Sequence, residues 1–527
     1  MEILAFIPPI LIGSAIVVMV FPQFSLKGAC AVLTVCLGSG IGLGLTSATI
    51  FLWLAWFERP GAAYHVFEFG SAILLTIIAF YRFHYYNSGR QNELKSDCAT
   101  NDVPIKWLKR LFIILLLISS GSFGLKTFIE DPYGTVDTRI VWNYRARWMF
   151  RAGDQWDHAF YSPVARDAEY EDDQGHAADY PLLVTGSVYR GWEIIGSEHV
   201  AIPIMIAGIF TFGTYLLLYA SLALLRNRNQ GYLAVLFMLI STQFLHLGTD
   251  QYGDVPLAFF ILSTIALFAL KDRWPAISLQ TIVLIGFTAS CAAWTKNEGL
   301  VFFVLVILVR FIGQIGKNDW SKLVKEFFCF LLGILPVMGT LLYFKLNFAP
   351  RNDMINIPTL KKTAVHLLDL DRYLYVITEI LKKVYFFNDK IVILMAVYFL
   401  ISGLDRSGNV KKHIFSHVIL LLLTLGGYLF AFVITPYDLS WHIDSSIRRL
   451  FIQLWPAWVF LFFYSVRGPE QYTEEDQPEN RVVRVYNQLK KKGKILIKNR
   501  NFVFFRSFNA VKQEKNPERP DLDYKSI

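Results

Sequence analysis

Apolar runs of about 16–22 residues recur from one end of the chain to the other, separated by short charged segments. An α-helix of that length crosses about 30 Å of hydrocarbon. The runs lie at approximately 3–21, 29–55, 66–81, 108–128, 200–225, 231–247, 255–270, 276–294, 300–315, 327–347, 390–404, 414–435 and 450–466. The pattern predicts an all-α integral membrane protein, a polytopic bundle of about 13 transmembrane helices. The first run has Glu2 and no basic segment before it, so it reads as a span and not as a cleaved signal. A second period appears in 348–389, where Leu367, Leu370, Leu374, Ile377, Leu381 and Val384 alternate spacings of three and four. That stripe predicts an amphipathic helix, lying on the membrane surface or packed on the bundle, with Lys361, Lys362, Arg372, Lys382 and Lys383 off the stripe.

Composition agrees with this class: of 527 residues, 54% are hydrophobic and 16% aromatic. The net charge of +9 does not indicate nucleic acid, because of where the charges lie. Basic residues gather in alternate connections: Arg82, Arg90, Lys95, Lys106, Lys109 and Arg110; then Arg226 and Arg228; Lys271 and Arg273; Lys317, Lys322 and Lys325; Arg406, Lys411 and Lys412. Cytoplasmic loops carry that excess, so these connections are expected inside. The tail, 467–527, has 14 Lys and Arg against 9 Asp and Glu and belongs on the same side, where it can touch anionic lipid. The segments 129–199, 248–254, 295–299, 348–389 and 436–449 are then extracytoplasmic. Five cysteines (Cys30, Cys36, Cys98, Cys291, Cys329) form no CxxC and no Cys/His cluster, so neither a metal nor a cofactor is expected.

The largest outer segment, 129–199, holds 13 Asp and Glu against 6 Arg, with enough Trp and Tyr to be ordered. It opens as EDPYGTVDTRIVWNYRARWMFR at 130–151. From Asp137 onward it resembles the first outer loop of polytopic GT-C-fold glycosyltransferases, the family-39-like group of protein O-mannosyltransferases and lipid A aminoarabinose transferases. The residues that carry the resemblance are Asp137, TRIVWNYRARWMF at 138–150, RAGDQW at 151–156 and DYPLLVTGSVYRGWEIIG at 179–196. It continues through QYGDVPLAFFILSTIALFAL at 251–270 and AWTKNEGL at 293–300, covering about 107–315, with a weaker match in SSIRRLFIQLWP at 445–456.

The resemblance implies a transferase core over 107–466, preceded by three additional helices and a cytoplasmic loop in 1–106 and followed by the tail. It implies transfer of a sugar from a polyprenyl-phosphate donor to an extracytoplasmic lipid, glycan or protein by inverting displacement, with the donor's tail in membrane lipid. Such chemistry needs a base for the acceptor proton and cations for the departing phosphate. Asp137 is the expected base, with Glu130 and Asp131 as alternates because Thr138 stands where several members have a second acid. Asp137 could equally cap the arginine helix that follows it. Lys296, Arg448 and Arg449 are the expected phosphate ligands, cations placed where the charge rule disfavours them. Further candidates are Arg139, Arg145, Arg147, Asp179, Asp254, Glu298 and His442. For several of these a plainer role is open: Arg139, Asn143, Arg147 and Arg151 can form a solvated face paired with the loop's acids, and Asp254 can cap its helix. Two other function classes use similar charges: a transporter or flippase of lipid-linked glycan, and a polysaccharide polymerase or ligase. The lack of an internal repeat weighs against transport.

Overall fold

The computed structural model describes residues 2–89, 104–161, 179–312, 320–350, 352, 357–387, 389–405 and 408–468. These belong to one compact unit, Met1–Pro469; a second unit, Glu470–Ile527, which contains nearly all of the basic tail, lies outside the described residues. The described residues form an all-α bundle with no strand, and one isolated backbone bridge joins Leu404 to Val466.

Three helices open the chain: α1 (Ile7–Val20), α2 (Gly28–Phe57) and α3 (Gly61–Gly89). Pro8 and Pro9 sit in the first turn of α1, where a missing N–H costs nothing. Glycines let α1 and α2 touch backbone to backbone: a Cβ on Gly42 would fall 1.7 Å from the Pro9 carbonyl oxygen. Then come α4 (Lys106–Leu125), the loop helices α5 (Asn143–Ala152) and α6 (Leu183–Ile195), α7 (Ala201–Leu225), α8 (Arg228–Ile240) and α9 (Thr242–Thr249). They are followed by α10 (Asp254–Arg273), α11 (Ser278–Thr295), α12 (Asn297–Ile307) and α13 (Trp320–Asn347). The amphipathic pair α14 (Ile357–Leu368) and α15 (Leu370–Phe387) leads to α16 (Asp389–Ser402), α17 (Gly408–Ile434) and α18 (Leu439–Ser465).

Nine described helices are long and apolar enough to span a membrane, ten if the bent pair α8–α9 is one span. The sequence pattern predicts about 13, and the four differences have physical causes. The run at 231–247 is broken at Ser241, where α8 and α9 meet at 69°. The run at 300–315 lies on α12, which passes at Leu308 into a short π-helical stretch ending at Ile312. The run at 390–404 is the short apolar helix ending at Ser402. The last run is helical to Ser465, but the part after Arg449 is short and holds Gln453 and Pro456, and a longer stretch of this helix takes in Arg448 and Arg449.

The centre of the bundle is α10, whose most apolar window is wholly buried. It packs against α7, α11 and α18, while α2 packs against α1, α6, α7, α11 and α13. The amphipathic stripe splits at Asp369, and its Leu370, Leu374, Ile377 and Leu381 remain exposed while Val376 and Ile380 are buried. Lys361, Lys362, Lys383 and Val384 have side chains outside the described set.

Among the described residues, ion pairs gather toward the two ends of the bundle. At one end Arg226 pairs with Asp405 and donates to the Val466 carbonyl (3.1 Å), and Glu326 meets Lys271 (3.7 Å) and Arg310. The other end receives the last turn of α4, the first turn of α10, the α11–α12 junction, the last turn of α13 and the first turns of α18. All the candidate chemistry is there.

Candidate active site

The site is built from two interlocked loops. After α4 the chain turns through Gly134, in the left-handed region at φ 69°, and enters a wide π-helical turn, Thr138–Trp142, directly after Asp137. Thr138 Oγ1 donates to the Asp250 carbonyl (2.6 Å), Lys126 Nζ pairs with the Asp250 carboxylate (3.2 Å), and Asn143 Nδ2 donates to Gln251 Oε1 (3.1 Å). Gln251 in turn donates to the Pro132 carbonyl (3.2 Å). Gly253 lies flat on the Trp142 indole, where a Cβ would come within 2.8 Å of the ring. The 126–143 segment and the 249–253 loop therefore hold each other, and each delivers a carboxylate, Asp137 and Asp254.

Neither carboxylate caps its helix. Asp254 is fully buried, and its two oxygens accept four hydrogen bonds. Lys296 Nζ (2.9 Å) and Gln453 Nε2 (2.6 Å) reach Oδ1; Arg449 reaches Oδ2 through Nε (3.1 Å) and Nη2 (3.0 Å). The remaining terminal nitrogen of Arg449 donates to Asp137 Oδ2, so one guanidinium bridges the two carboxylates. Lys296, 2% exposed, stands where the backbone becomes extended between α11 and α12, and it also pairs with Glu298 (3.0 Å). Buried charges persist in a bundle when they are mutually paired, as these are. The cluster closes below and opens at Asp137, whose side chain is 32% exposed.

Aromatic rings floor the site. The Arg449 guanidinium lies 4.6 Å from the Tyr252 ring centroid, and the Lys296 ammonium lies 5.7 Å from that of Tyr180. Tyr180 stacks on Trp142 at 5.6 Å. Its phenol is held well above the ordinary tyrosine range, first by the negative charge of Glu298 and then by burial, so it stays a neutral donor. Burial raises the Tyr252 phenol as well.

Asp179 anchors the next layer: it accepts from Asn297 (3.0 Å), Asn352 (2.8 Å) and Lys345 (3.2 Å). Arg145 is buried and donates to the Tyr180 carbonyl (2.8 Å), with its guanidinium 5.7 Å from the Trp142 ring. Burial pushes its guanidinium down to about 10, against the opposing pull of Asp179 and Tyr180, and it remains charged at neutral pH.

The structure thus brings together Asp137, Asp254, Lys296, Glu298 and Arg449, with Asp179 and Arg145 adjoining. It does not bring Arg448 to them: that side chain is exposed, because consecutive helical residues point about 100° apart. Arg139 pairs with Asp131 (3.5 Å) and donates to the Gly134 carbonyl, while Arg147 and Arg151 share Glu198. These are the loop's own ion pairs, and Glu130 is exposed among them. His442 meets Thr435 Oγ1 at 2.9 Å. Lys345, Gln453, Tyr180 and Tyr252 are not among the site candidates of the sequence reading. Lys345 had a signal, a cation near the end of an apolar run like Lys296, and Gln453 had another, an amide inside the last run.

Among the described residues no group of His, Cys, Asp and Glu has the arrangement of a metal site. Among the described residues Cys30, Cys36, Cys291 and Cys329 are in no disulfide, and Cys98 lies outside the described residues.

Residues 202–350 match the family model described as dolichyl-phosphate-mannose-protein mannosyltransferase. No curated protein and no solved structure matches the chain. The matched stretch supplies Asp254, Lys296, Glu298 and Lys345, while Asp137 and Arg449 come from outside it. The chain is an all-α, multi-pass membrane protein similar over that stretch to a family of membrane glycosyltransferases, the group that its segments 137–196, 251–270 and 293–300 resemble.

Proposed function

We propose that the chain transfers a sugar from a polyprenyl-phosphate carrier to a hydroxyl of an extracytoplasmic acceptor by a single inverting displacement. The acceptor oxygen attacks the anomeric carbon as the bond to the phosphate oxygen breaks, and the acceptor proton passes to Asp137. Polyprenyl phosphate leaves with its charge held by Arg449 and Lys296. The observation that carries this reading is the bridging guanidinium: Arg449 touches both Asp137 and Asp254, and Lys296 meets the same Asp254. A carboxylate and two cations, drawn from three distant parts of the chain, share one cluster that opens at Asp137. On the charge rule that end is extracytoplasmic, so the donor's tail can remain in the bilayer while its phosphate reaches the interface.

The test is Asp137→Asn, which removes the base with little change of volume. Sugar transfer in membranes should fall about 100- to 10,000-fold, with donor binding retained. Near-native turnover would refute Asp137 as the base and turn attention to Asp131 and Glu130.

A further inference from the structure

The three N-terminal helices are joined to the site by an ion pair that lies outside the cluster. Arg190 on α6 and Glu68 on α3 are 1% and 2% exposed. Arg190 Nε donates to Glu68 Oε1 (2.5 Å), and Nη1 donates to the carbonyl oxygen of Ala5 (2.7 Å), in the turn that precedes α1. One guanidinium therefore ties three elements together: the start of the chain, α3 and α6. One turn earlier on the same face of α6, Gly186 presses on the backbone of α2, where a Cβ would come 3.2 Å from the Ser47 carbonyl oxygen. Ser47 also accepts from the Trp294 indole (2.8 Å), two residues before Lys296.

The beginning of α6 belongs to the site. Thr185 Oγ1 donates to the Trp142 carbonyl (3.2 Å), at the end of the π-helical turn that Asp137 opens. Just before α6 come Asp179, which holds Lys345 and Asn297, and Tyr180, which stacks on Trp142 beneath Lys296. A slide of α6 along its axis would move Trp142, Tyr180 and Asp137 together.

Stability alone does not account for a charged pair here. Replacing a buried ion pair with apolar groups of matched volume is often neutral or stabilising, whereas removing one partner is strongly destabilising. What the pair adds over apolar packing is direction, because a planar guanidinium fixes two acceptors at set angles.

We propose that Arg190 is a positioning residue: held by Glu68 and the Ala5 carbonyl, it sets the axial register of α6 and through Trp142 the placement of Asp137. The N-terminal helices are then part of the catalytic apparatus. This inference rests on the reading of Asp137 as the base, and its test separates the two.

Wild type, Asp137→Asn, Arg190→Lys and the double variant Glu68→Leu/Arg190→Met are compared as full chains in membranes. The readout is release of polyprenyl phosphate from added polyprenyl-phosphate mannose, with endogenous acceptors. The double variant should unfold at a temperature no lower than wild type. Its kcat should fall about 10- to 100-fold with the donor KM unchanged, the cost of misplacing a reacting group by about 1 Å. Arg190→Lys, which keeps the charge but not the two-acceptor fork, should fall between the double variant and wild type. Amide exchange over 138–152 should quicken in the double variant while that of α10 does not. A folded double variant with native kcat, a loss confined to donor KM, or a double variant that fails to fold would each overturn the proposal. If Asp137→Asn is inactive in any of these cases, the reading of the base survives; if Asp137→Asn turns over normally, that reading fails whatever Arg190 does.

Discussion

Asp254→Asn replaces one oxygen by NH2 at a buried position that accepts four hydrogen bonds. Two donors, Arg449 Nε and Nη2, address one oxygen; two others, Lys296 Nζ and Gln453 Nε2, address the second. Whichever way the new amide turns, its NH2 meets two donors, so two hydrogen bonds are lost and a donor–donor conflict takes their place. At the same time a buried negative charge disappears between two cations. Arg449 keeps Asp137 and Lys296 keeps Glu298, so neither cation is left wholly unpaired. Hydrogen bonds to charged groups contribute about 1.5–3 kcal/mol each, and breaking a buried pair costs about 3–5 kcal/mol. The expected loss is therefore about 3–5 kcal/mol, a shift of roughly two to nearly four decades in the unfolding equilibrium. Denaturant unfolding in detergent micelles, followed by tryptophan fluorescence, measures it. A loss below about 1 kcal/mol would mean that water enters the cluster and screens it, and the picture of a dry, mutually neutralised site would be wrong.

Lys296→Gln should weaken donor use much more than acceptor use, and the adjacent-residue control Arg448→Gln should leave both near native; equal losses in the two variants would remove the distinction drawn between Arg448 and the cluster. Burial raises the Glu193 carboxyl above its ordinary value, against the Tyr189 hydrogen bond and Arg59. A raised acid costs stability as pH climbs from the unfolded value through the folded one, so Glu193→Gln should raise the melting temperature at pH 8 and not at pH 4. An equal gain at both would point to packing. In a cysteine-free background, Gln155→Cys, at the site end, should react with an impermeant reagent in intact cells and Ser321→Cys, at the other, should not; the reverse pattern would invert the topology.

The apolar runs were legible because membrane crossing demands continuous hydrophobic helix, and each falls on helix in the described residues apart from the break at Ser241 and positions 21, 200, 403, 404, 435 and 466 at run ends, with 313–315 outside the described residues. What the runs could not convey was where a helix continues past its apolar part. The last helix starts ten residues before Arg449 because Asp438 caps it, accepting from the Trp441 amide at 2.8 Å. Read as a cap, the Asp438 in TPYDLSW would have predicted that start. Charge statistics singled out Lys296 and the Arg448–Arg449 pair, yet they cannot choose between neighbours on a helix. Only the rotation per residue does that, and it turns Arg449 inward. The pairing of Asp137 with Arg449 spans 312 residues, and nothing local in either segment announces the other.

The balance of charge in the cluster bears on when the base is free to act. Asp137, Asp254 and Glu298 face Lys296 and Arg449, so without substrate every cation already has a carboxylate partner. An incoming phosphodiester adds a negative charge and can bind only by displacing one of the three. Asp254 is fully buried and held by four hydrogen bonds, so it is the costliest to move. Asp137 is a third exposed, has a single guanidinium contact and stands at the open side. Arg449 holds Asp254 through two nitrogens and Asp137 through one, so on the proposed reading a phosphate that binds Arg449 displaces Asp137. On the proposed reading, arrival of the donor phosphate then detaches Asp137 from the cation that held it and leaves its carboxylate free to meet the acceptor hydroxyl. On that same reading, the arginine that holds the leaving phosphate also sets when Asp137 can reach the acceptor.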